Sequence, residues 1–305
     1  QDAMIICGAS KNEVESDVFS KAEIAAQDGD CTNAINKLDD YLTKFQPASH
    51  KTEAQQYLAQ CYLKLGDKNK ALESFNEVIA QGPSNYLEEA LSNAASISFE
   101  FADYSQAIIH YRNLEQVAVS KNNVVNAQLG MMKCHYILKE SNESITYADR
   151  ILNGNIANQE AKMTARLWKG RILKEQAKYA EATTILREVE KGGGVQGAEA
   201  KYLICEILYL SNKCREAEDE VFLFIENFGG YDDWKYRAYL LLIDIYICQE
   251  DLYQARSTAN LLLDKVKVQW VIDAANAKKA EIDRLENPAQ ENVIENTDQN
   301  EENDE

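Results

Sequence analysis

Small residues recur along this chain at an almost constant spacing. They lie 35 to 38 residues apart, and all but one of them are alanine: Ala34, Ala71, Ala107, Ser144, Ala182, Ala217 and Ala255. Around each one the hydrophobic and polar positions repeat, with an apolar or aromatic residue nine positions before it, a turn at about five before it, and apolar residues four and seven after it. This frame predicts two amphipathic helices per copy, joined by a tight turn, with the small residue where the helices cross.

In register, the seven copies cover residues 15–269 and start near Glu15, Thr52, Glu88, Val125, Met163, Ala198 and Tyr236. Because a pair of helices leaves one apolar face uncovered, successive pairs are expected to stack and to share one core. The predicted fold is therefore all-α, a right-handed superhelical solenoid of about seven helix-turn-helix repeats. Gly66, Ala102 and Ala177 are expected to end first helices.

The two ends of the chain differ from the copies. Residues 1–14 are interpreted as the end of a preceding repeat, and the missing initiating methionine suggests a piece of a longer protein. Residues 270–286 predict one further amphipathic helix, which would cap the apolar face of the last copy. Residues 287–305 hold seven acids and no base, which predicts a disordered acidic tail.

Composition excludes several classes of protein. The formal net charge is −18, which argues against a nucleic-acid partner because phosphate contacts need a basic face. No apolar run approaches the roughly 20 residues of a membrane span, so we expect no membrane insertion by this chain. The acidity is interpreted as a contribution to solubility.

The seven cysteines follow no metal-binding or redox spacing. Most of them fall at packing positions of different copies, which predicts buried free thiols, with Cys205 and Cys214 unbridged although they share a copy. An odd number of scattered thiols favours a reducing compartment.

No catalytic constellation is apparent. His50, His110 and His135 fall in different copies, and no nucleophile, phosphate-binding or metal motif occurs. The sequence therefore predicts a protein that is not an enzyme and that carries neither a cofactor nor a metal.

The second copy matches a known pattern of aromatic, small and turn residues. Its matching positions are Leu58, Ala59, Tyr62, Gly66, Asp67, Ala71, Phe75, Val78 and Pro83. In these residues the chain resembles the tetratricopeptide repeat (TPR) family. The resemblance implies a non-enzymatic scaffold that binds a protein or a peptide.

The resemblance also implies where a partner binds. The TPR family uses the second, fifth, ninth, twelfth and thirteenth residues of each first helix to line an inner groove. Transferred to copies four to six, this rule selects a cationic and aromatic strip as the partner-binding site: Lys133, Tyr136, Arg171, Lys174, Tyr202 and Tyr209. An acidic or C-terminal peptide is the expected ligand. A solvated helix face remains the alternative interpretation of the strip.

Two further resemblances concern the setting. Chaperone-tail-binding members carry lysine and asparagine where this chain has Phe19 and Glu23, which weakens a cytosolic co-chaperone role. Residues 57–66, 197–209 and 243–255 resemble the C-terminal part of long periplasmic TPR proteins of Bacteroides-type bacteria, which are similar to outer-membrane-assembly and Tol-Pal-associated modules. That likeness implies a periplasmic or cell-envelope address. A cytoplasmic adaptor and a glycan-binding envelope protein remain the alternatives.

Overall fold

A computed structural model of the chain describes residues 10–287. This part of the chain consists of fifteen α-helices and the turns between them, with no β-strand. The predicted all-α fold class is thus confirmed. The predicted tail and the first nine residues, including Cys7, lie outside the described residues, apart from Asn287.

Fourteen of the helices form seven consecutive pairs. The first helices of the pairs are α1 (Lys11–Gln27), α3 (Lys51–Lys64), α5 (Leu87–Glu100), α7 (Lys121–Ile137), α9 (Gln159–Glu175), α11 (Gly194–Leu210) and α13 (Asp232–Cys248). The second helices are α2 (Cys31–Lys44), α4 (Lys68–Ala80), α6 (Tyr104–Val117), α8 (Ser141–Asn153), α10 (Tyr179–Lys191), α12 (Cys214–Phe228) and α14 (Leu252–Lys265). The fifteenth helix, α15 (Gln269–Glu286), follows the last pair.

The pairs start one to four residues before the predicted positions. The difference is clearest in the first pair, where Ser10 and Glu13 form a capping box at the start of α1. Lys11 to Val14, which the sequence analysis assigned to a preceding repeat, therefore belong to the first pair.

Each turn inside a pair contains one residue with a left-handed backbone. These residues are Gly29, Gly66, Ala102, Lys139, Ala177, Asn212 and Glu250, with φ between 56° and 84°. In four pairs the next residue is an aspartate whose side chain accepts a hydrogen bond from the backbone N–H three positions later: Asp30, Asp67, Asp103 and Asp251. The turn thus ends one helix and caps the next.

The chain divides into two compact units, unit 1 (residues 1–165) and unit 2 (residues 166–305). In unit 1, consecutive helices from α1 to α8 pack against each other, and the first helices α1 and α3, and α5 and α7, also touch. In unit 2, consecutive helices from α10 to α15 pack in the same way, and α13 contacts both α11 and α15. The helix α15 therefore packs where the first helix of another pair would stand.

The seven recurring small residues are all fully buried, which agrees with their predicted place at helix crossings. Ser144, the one exception to alanine, satisfies its buried hydroxyl by donating to the carbonyl oxygen of Met132 at 2.8 Å. Gly170 on α9 permits a second close approach, because a β-carbon there would lie 2.6 Å from the Leu186 side chain on α10.

The cysteines correct one prediction. Cys214, the first residue of α12, forms a disulfide with Cys248, the last residue of α13, across a Cα–Cα distance of 6.3 Å. The expectation of free thiols at all seven positions is therefore wrong, although Cys205 is buried and free as predicted. Cys31, Cys61 and Cys134 are also buried and free. Packing of α12 on α13 brings together two cysteines that are 34 residues apart in sequence.

None of the helices described is both long enough and apolar enough to cross a membrane.

Candidate functional site

The six predicted site residues divide between the two units. Lys133 and Tyr136 lie on α7 in unit 1, whereas Arg171 and Lys174 lie on α9, and Tyr202 and Tyr209 on α11, in unit 2. We describe each group within its own unit.

In unit 1, Lys133 lines a cavity of about 400 Å³ between α7 and the start of α9. The lining is mainly polar, with Asn122, Asn126, Asn158 and Glu160 beside a few apolar side chains. Tyr136 does not line this cavity, and its ring lies 5.4 Å from the ammonium group of Lys139. The two unit 1 residues of the predicted strip therefore do not share a cavity.

In unit 2, both predicted cations are already paired. The Arg171 guanidinium bonds to the carboxylate of Glu199 and lies 4.8 Å from the ring of Trp168. The Lys174 ammonium bonds to Glu206. Both acids lie on α11, the first helix of the next pair, and both bases are more than half buried. The structure therefore does not present Arg171 and Lys174 as the two free cations that the predicted site requires.

Tyr202 and Tyr209 do share a site. They line a cavity of about 240 Å³ formed by α11, α13 and α15, which we call the aromatic cleft. Its other lining residues are Glu206, Leu210, Arg237, Leu240, Leu241, Asp244, Trp270 and Lys278. Trp234 supports the cleft from α13, with its ring centroid 5.5 Å from that of Tyr202.

Arg237 is the most unusual group in the aromatic cleft. Its guanidinium carbon lies 5.6 Å from the Trp234 ring and 5.2 Å from the Trp270 ring, so it contacts two indoles. The side chain is exposed, and within residues 10–287 no carboxylate forms an ion pair with it. The other base in the cleft, Lys278, bonds to Asp244.

Burial shifts the pKa of three groups that line the cleft, Tyr202, Tyr209 and Asp244. It raises the pKa of Tyr202 and of Tyr209 above the ordinary value of 10.0, at which a tyrosine hydroxyl is already protonated and a hydrogen-bond donor at neutral pH. Burial also raises the pKa of Asp244, and the hydrogen bond from Lys278 offsets part of that rise. The cleft therefore offers aromatic area, hydroxyl donors and one unpaired guanidinium, and it can bind an anion beside an apolar group.

The sequence analysis missed Arg237, Asp244 and Trp270. The groove rule could have found the first two, because Arg237 is the second and Asp244 the ninth residue of copy seven counted from Tyr236. Trp270 could not be found in that way, because it comes from α15, which lies outside the seven copies.

Size does not single out the aromatic cleft. A cavity of about 610 Å³ in unit 1 is larger, and Asp39, Tyr62, Lys70, Glu73 and Glu77 are among the residues that line it. Its lysine lies 5.2 Å from the Tyr62 ring and 3.9 Å from Asp67. The lining is rich in acids and has no cation without an acidic partner, so it is a weaker candidate for recognition of an anion.

Comparison with protein families identifies the repeat. Residues 52–85 match the tetratricopeptide repeat family. They contain α3 and α4, the pair that carries Tyr62, Gly66 and Ala71. The chain therefore carries a tetratricopeptide repeat at residues 52–85. Its pairs, turns and buried alanines are those of a TPR fold, as the resemblance implied.

Solved structures with the same TPR fold cover most of the chain. A TPR protein from Parabacteroides merdae is 15% identical over 87% of this chain and 98% of its own, with a TM-score of 0.50. The C-terminal part of a TPR protein from Cytophaga hutchinsonii is 13% identical over 84% and 98%, with a TM-score of 0.61. The apo quorum sensor NprR from B. thuringiensis is 13% identical over 94% and 88%, with a TM-score of 0.56.

At such low identity these likenesses show the fold alone. No curated protein matches the sequence. The predicted link to outer-membrane-assembly and Tol-Pal-associated modules therefore stays a prediction. Among residues 10–287 no three His, Cys, Asp or Glu side chains are placed to hold a metal ion.

Proposed function

We propose that this TPR protein is a non-enzymatic scaffold that binds a protein or peptide partner through the aromatic cleft of unit 2, and that it serves in the assembly or maintenance of the cell envelope. TPR proteins typically mediate protein–protein interactions. The observation that carries the proposal is the cleft itself, where Arg237 contacts two indoles and has no acidic partner among residues 10–287.

The cleft has the composition of a protein-binding surface. Tyrosine, tryptophan and arginine are enriched among residues that contribute most to binding energy, and all three meet in the cleft. A stable interface needs more area than one cavity offers, so we expect the partner to extend along the neighbouring first helices. In this proposal Arg171 and Lys174 position Glu199 and Glu206 beside the cleft instead of holding the ligand themselves.

The disulfide supports the envelope setting. Disulfides form and persist in oxidising compartments such as the bacterial periplasm and are rare in the cytosol. A bond between Cys214 and Cys248 therefore favours the periplasmic address over the reducing compartment that the scattered thiols suggested. The N-terminus encoded by the complete gene tests this part directly, since an envelope protein needs an export signal and a cytoplasmic adaptor does not.

Site-specific photocrosslinking tests the scaffold. A photoreactive benzoylphenylalanine in place of Tyr209 would lie in the cleft, and the same residue in place of Tyr253, which is 79% exposed on the second helix α14, is the matched control. Irradiation of the living source cells should give a protein adduct from position 209 and none of that mass from position 253.

Equal adducts from both positions would contradict the proposal, because they would show contact without site preference. Absence of any adduct specific to position 209, together with quenching of tryptophan fluorescence by cell-surface polysaccharide, would replace the scaffold with the glycan-binding alternative.

A further inference from the structure

We propose that Arg237 anchors one carboxylate of an extended peptide, and that an aromatic or aliphatic side chain next to that carboxylate fills the aromatic cleft. The inference rests on the proposed function, because it names the chemistry of the partner at the same site. In this proposal the positive charge that binds the ligand comes from Arg237, whereas in the predicted strip it came from Arg171 and Lys174.

The first step is the pattern of ion pairs around the cleft. Three bases on the surrounding helices are bonded to acids of the chain itself, in the pairs Arg171–Glu199, Lys174–Glu206 and Lys278–Asp244. Arg237 alone among the bases of this group has no such partner within the described residues. The guanidinium is therefore the one positive charge here that a ligand can take without breaking an ion pair.

The second step is the way in which Arg237 is held. Contact with the rings of Trp234 and Trp270 restrains the side chain and removes part of its water. A restrained guanidinium loses less conformational freedom when it binds, and its planar fork of N–H donors matches the two oxygens of a carboxylate. The hydroxyls of Tyr202 and Tyr209, which are protonated at neutral pH, are further donors in the same cavity.

The third step selects a carboxylate over a phosphate. The cleft is lined by two acids, Glu206 and Asp244, and by two bases, Arg237 and Lys278. A phosphate group carries close to two negative charges at neutral pH, which is more than the one unpaired guanidinium balances, because Lys174 and Lys278 are already bonded to Glu206 and Asp244. A carboxylate carries one charge, which the unpaired guanidinium balances.

The last step concerns the rest of the ligand. A cavity of about 240 Å³ is smaller than the roughly 300–1,000 Å³ typical of small-molecule sites, so it has room for a side chain but not for a large cofactor. Leu210, Leu240 and Leu241 line the cavity beside the tyrosines. An apolar or aromatic side chain adjacent to the bound carboxylate meets this surface.

Four short fluorescent peptides, all blocked at both ends, serve as probes. The first contains Phe-Glu between Gly-Ser spacers, and the others replace Glu by Gln, Glu by phosphoserine, or Phe by Gly. The Phe-Glu peptide should bind most tightly and should shift the NMR signals of the Trp234 and Trp270 indole N–H groups. Loss of the charge or of the ring should each weaken binding by about tenfold or more.

Variants of the full chain identify the anchor. Arg237→Gln should weaken binding of the Phe-Glu peptide by at least about tenfold, and Arg237→Lys should restore it only in part because a lysine lacks the planar fork. Arg215→Gln, which removes an exposed arginine from the second helix α12, is the matched control and should bind like the parent. Since Arg237 is exposed, circular dichroism should show unchanged folding in all three variants.

Three results would overturn the inference: equal binding of the Gln peptide, tighter binding of the phosphoserine peptide, or unchanged affinity of Arg237→Gln. A large gain in affinity when residues 287–305 are deleted would also overturn it, because the occupant would then be the acidic end of the chain itself. The proposed function is tested separately. A crosslinked partner that persists in Arg237→Gln would support the scaffold and exclude the carboxylate anchor. Binding of the Phe-Glu peptide without any cellular adduct would support the anchor and exclude the scaffold.

Discussion

The ammonium group of Lys201 lies 2.6 Å from a carboxylate oxygen of Glu220 in the interior of unit 2. Lys201 is only 2% exposed, and its second carboxylate partner is Glu190 at 3.1 Å. Arg187 bonds to both acids from α10. Burial alone would raise the pKa of Glu220, but hydrogen bonds from Arg187 and Lys201 outweigh it and lower that pKa. This network joins α10, α11 and α12.

The first prediction is that Glu220→Gln destabilises the protein. Removing one partner of a buried ion pair typically costs about 3–5 kcal/mol, and because Glu190 remains beside Lys201 we expect about 3 kcal/mol. Denaturant unfolding followed by circular dichroism measures the change. Glu216→Gln on the same helix is the control, since its pair with Lys213 is exposed and should be worth less than about 1 kcal/mol. An equal loss in the free energy of unfolding for the two variants would show that the buried network stabilises the protein no more than an exposed ion pair does.

The second prediction concerns the disulfide. Reduction of Cys214–Cys248 should lower the free energy of unfolding by about 2–4 kcal/mol. The bond joins positions 34 residues apart and therefore restricts the unfolded chain. Thiol titration of the unfolded chain should find two more reactive groups after reduction than before it. Cys205→Ser is the control, because it removes a free thiol and keeps the disulfide, so reduction should still lower its free energy of unfolding. Equal thiol counts before and after reduction would remove both the disulfide and its support for the envelope setting.

The third prediction concerns the left-handed turn residues. Ala102 has φ of 59°, a conformation that is unfavourable for residues with a β-carbon, so Ala102→Gly should stabilise the protein by about 1 kcal/mol. Gly66→Ala is the reverse control, because φ there is 84° and a β-carbon would meet no atom within 4 Å. Gly66→Ala should destabilise the protein by a similar amount, and the cause would be the strained backbone conformation and not a steric clash. If both changes shift the denaturant midpoint in the same direction, the turn geometry is not as described.

The sequence was most informative where a local rule repeats. The crossing residues and the turns at Gly66, Ala102 and Ala177 follow from spacing, because neighbouring residues determine these features. Lys139 and Glu250 lie five positions before Ser144 and Ala255, so the spacing also locates their turns, although neither residue type favours the left-handed conformation.

Features that join different pairs could not be predicted in this way. The acids that bond to Arg171 and Lys174 lie 28 and 32 residues further along the chain, and the disulfide joins positions 34 residues apart. Such contacts depend on how one pair rotates against the next, which the repeat frame does not specify. The aromatic cleft has the same origin, because Arg237 on α13 meets Trp270 on α15 only after both helices have packed.

The last prediction is a dependence of stability on pH in unit 1. The carboxylate of Glu88 accepts hydrogen bonds from the backbone N–H of Val119 at 3.0 Å and of Ser120 at 3.2 Å, and from the Asn123 side chain at 2.7 Å. The bond from the Val119 N–H is the main cause that lowers the pKa of Glu88. A carboxyl group whose pKa is lower in the folded state stabilises it above the ordinary pKa, and this contribution is lost as the pH falls through the folded-state value.

We therefore expect Glu88→Gln to lower the free energy of unfolding by about 1 kcal/mol at pH 7, a modest value because the site is partly solvated. The difference between parent and variant should shrink as the pH falls below the ordinary carboxyl value of 4.5 and through the lower pKa of Glu88 in the folded state, since the parent's carboxylate becomes protonated there. Glu89→Gln, which removes the neighbouring charge on α5 and a single hydrogen bond from Gln60, controls for the change in net charge. A pH-independent difference for Glu88→Gln would mean that the ionised carboxylate does not hold the loop between α6 and α7.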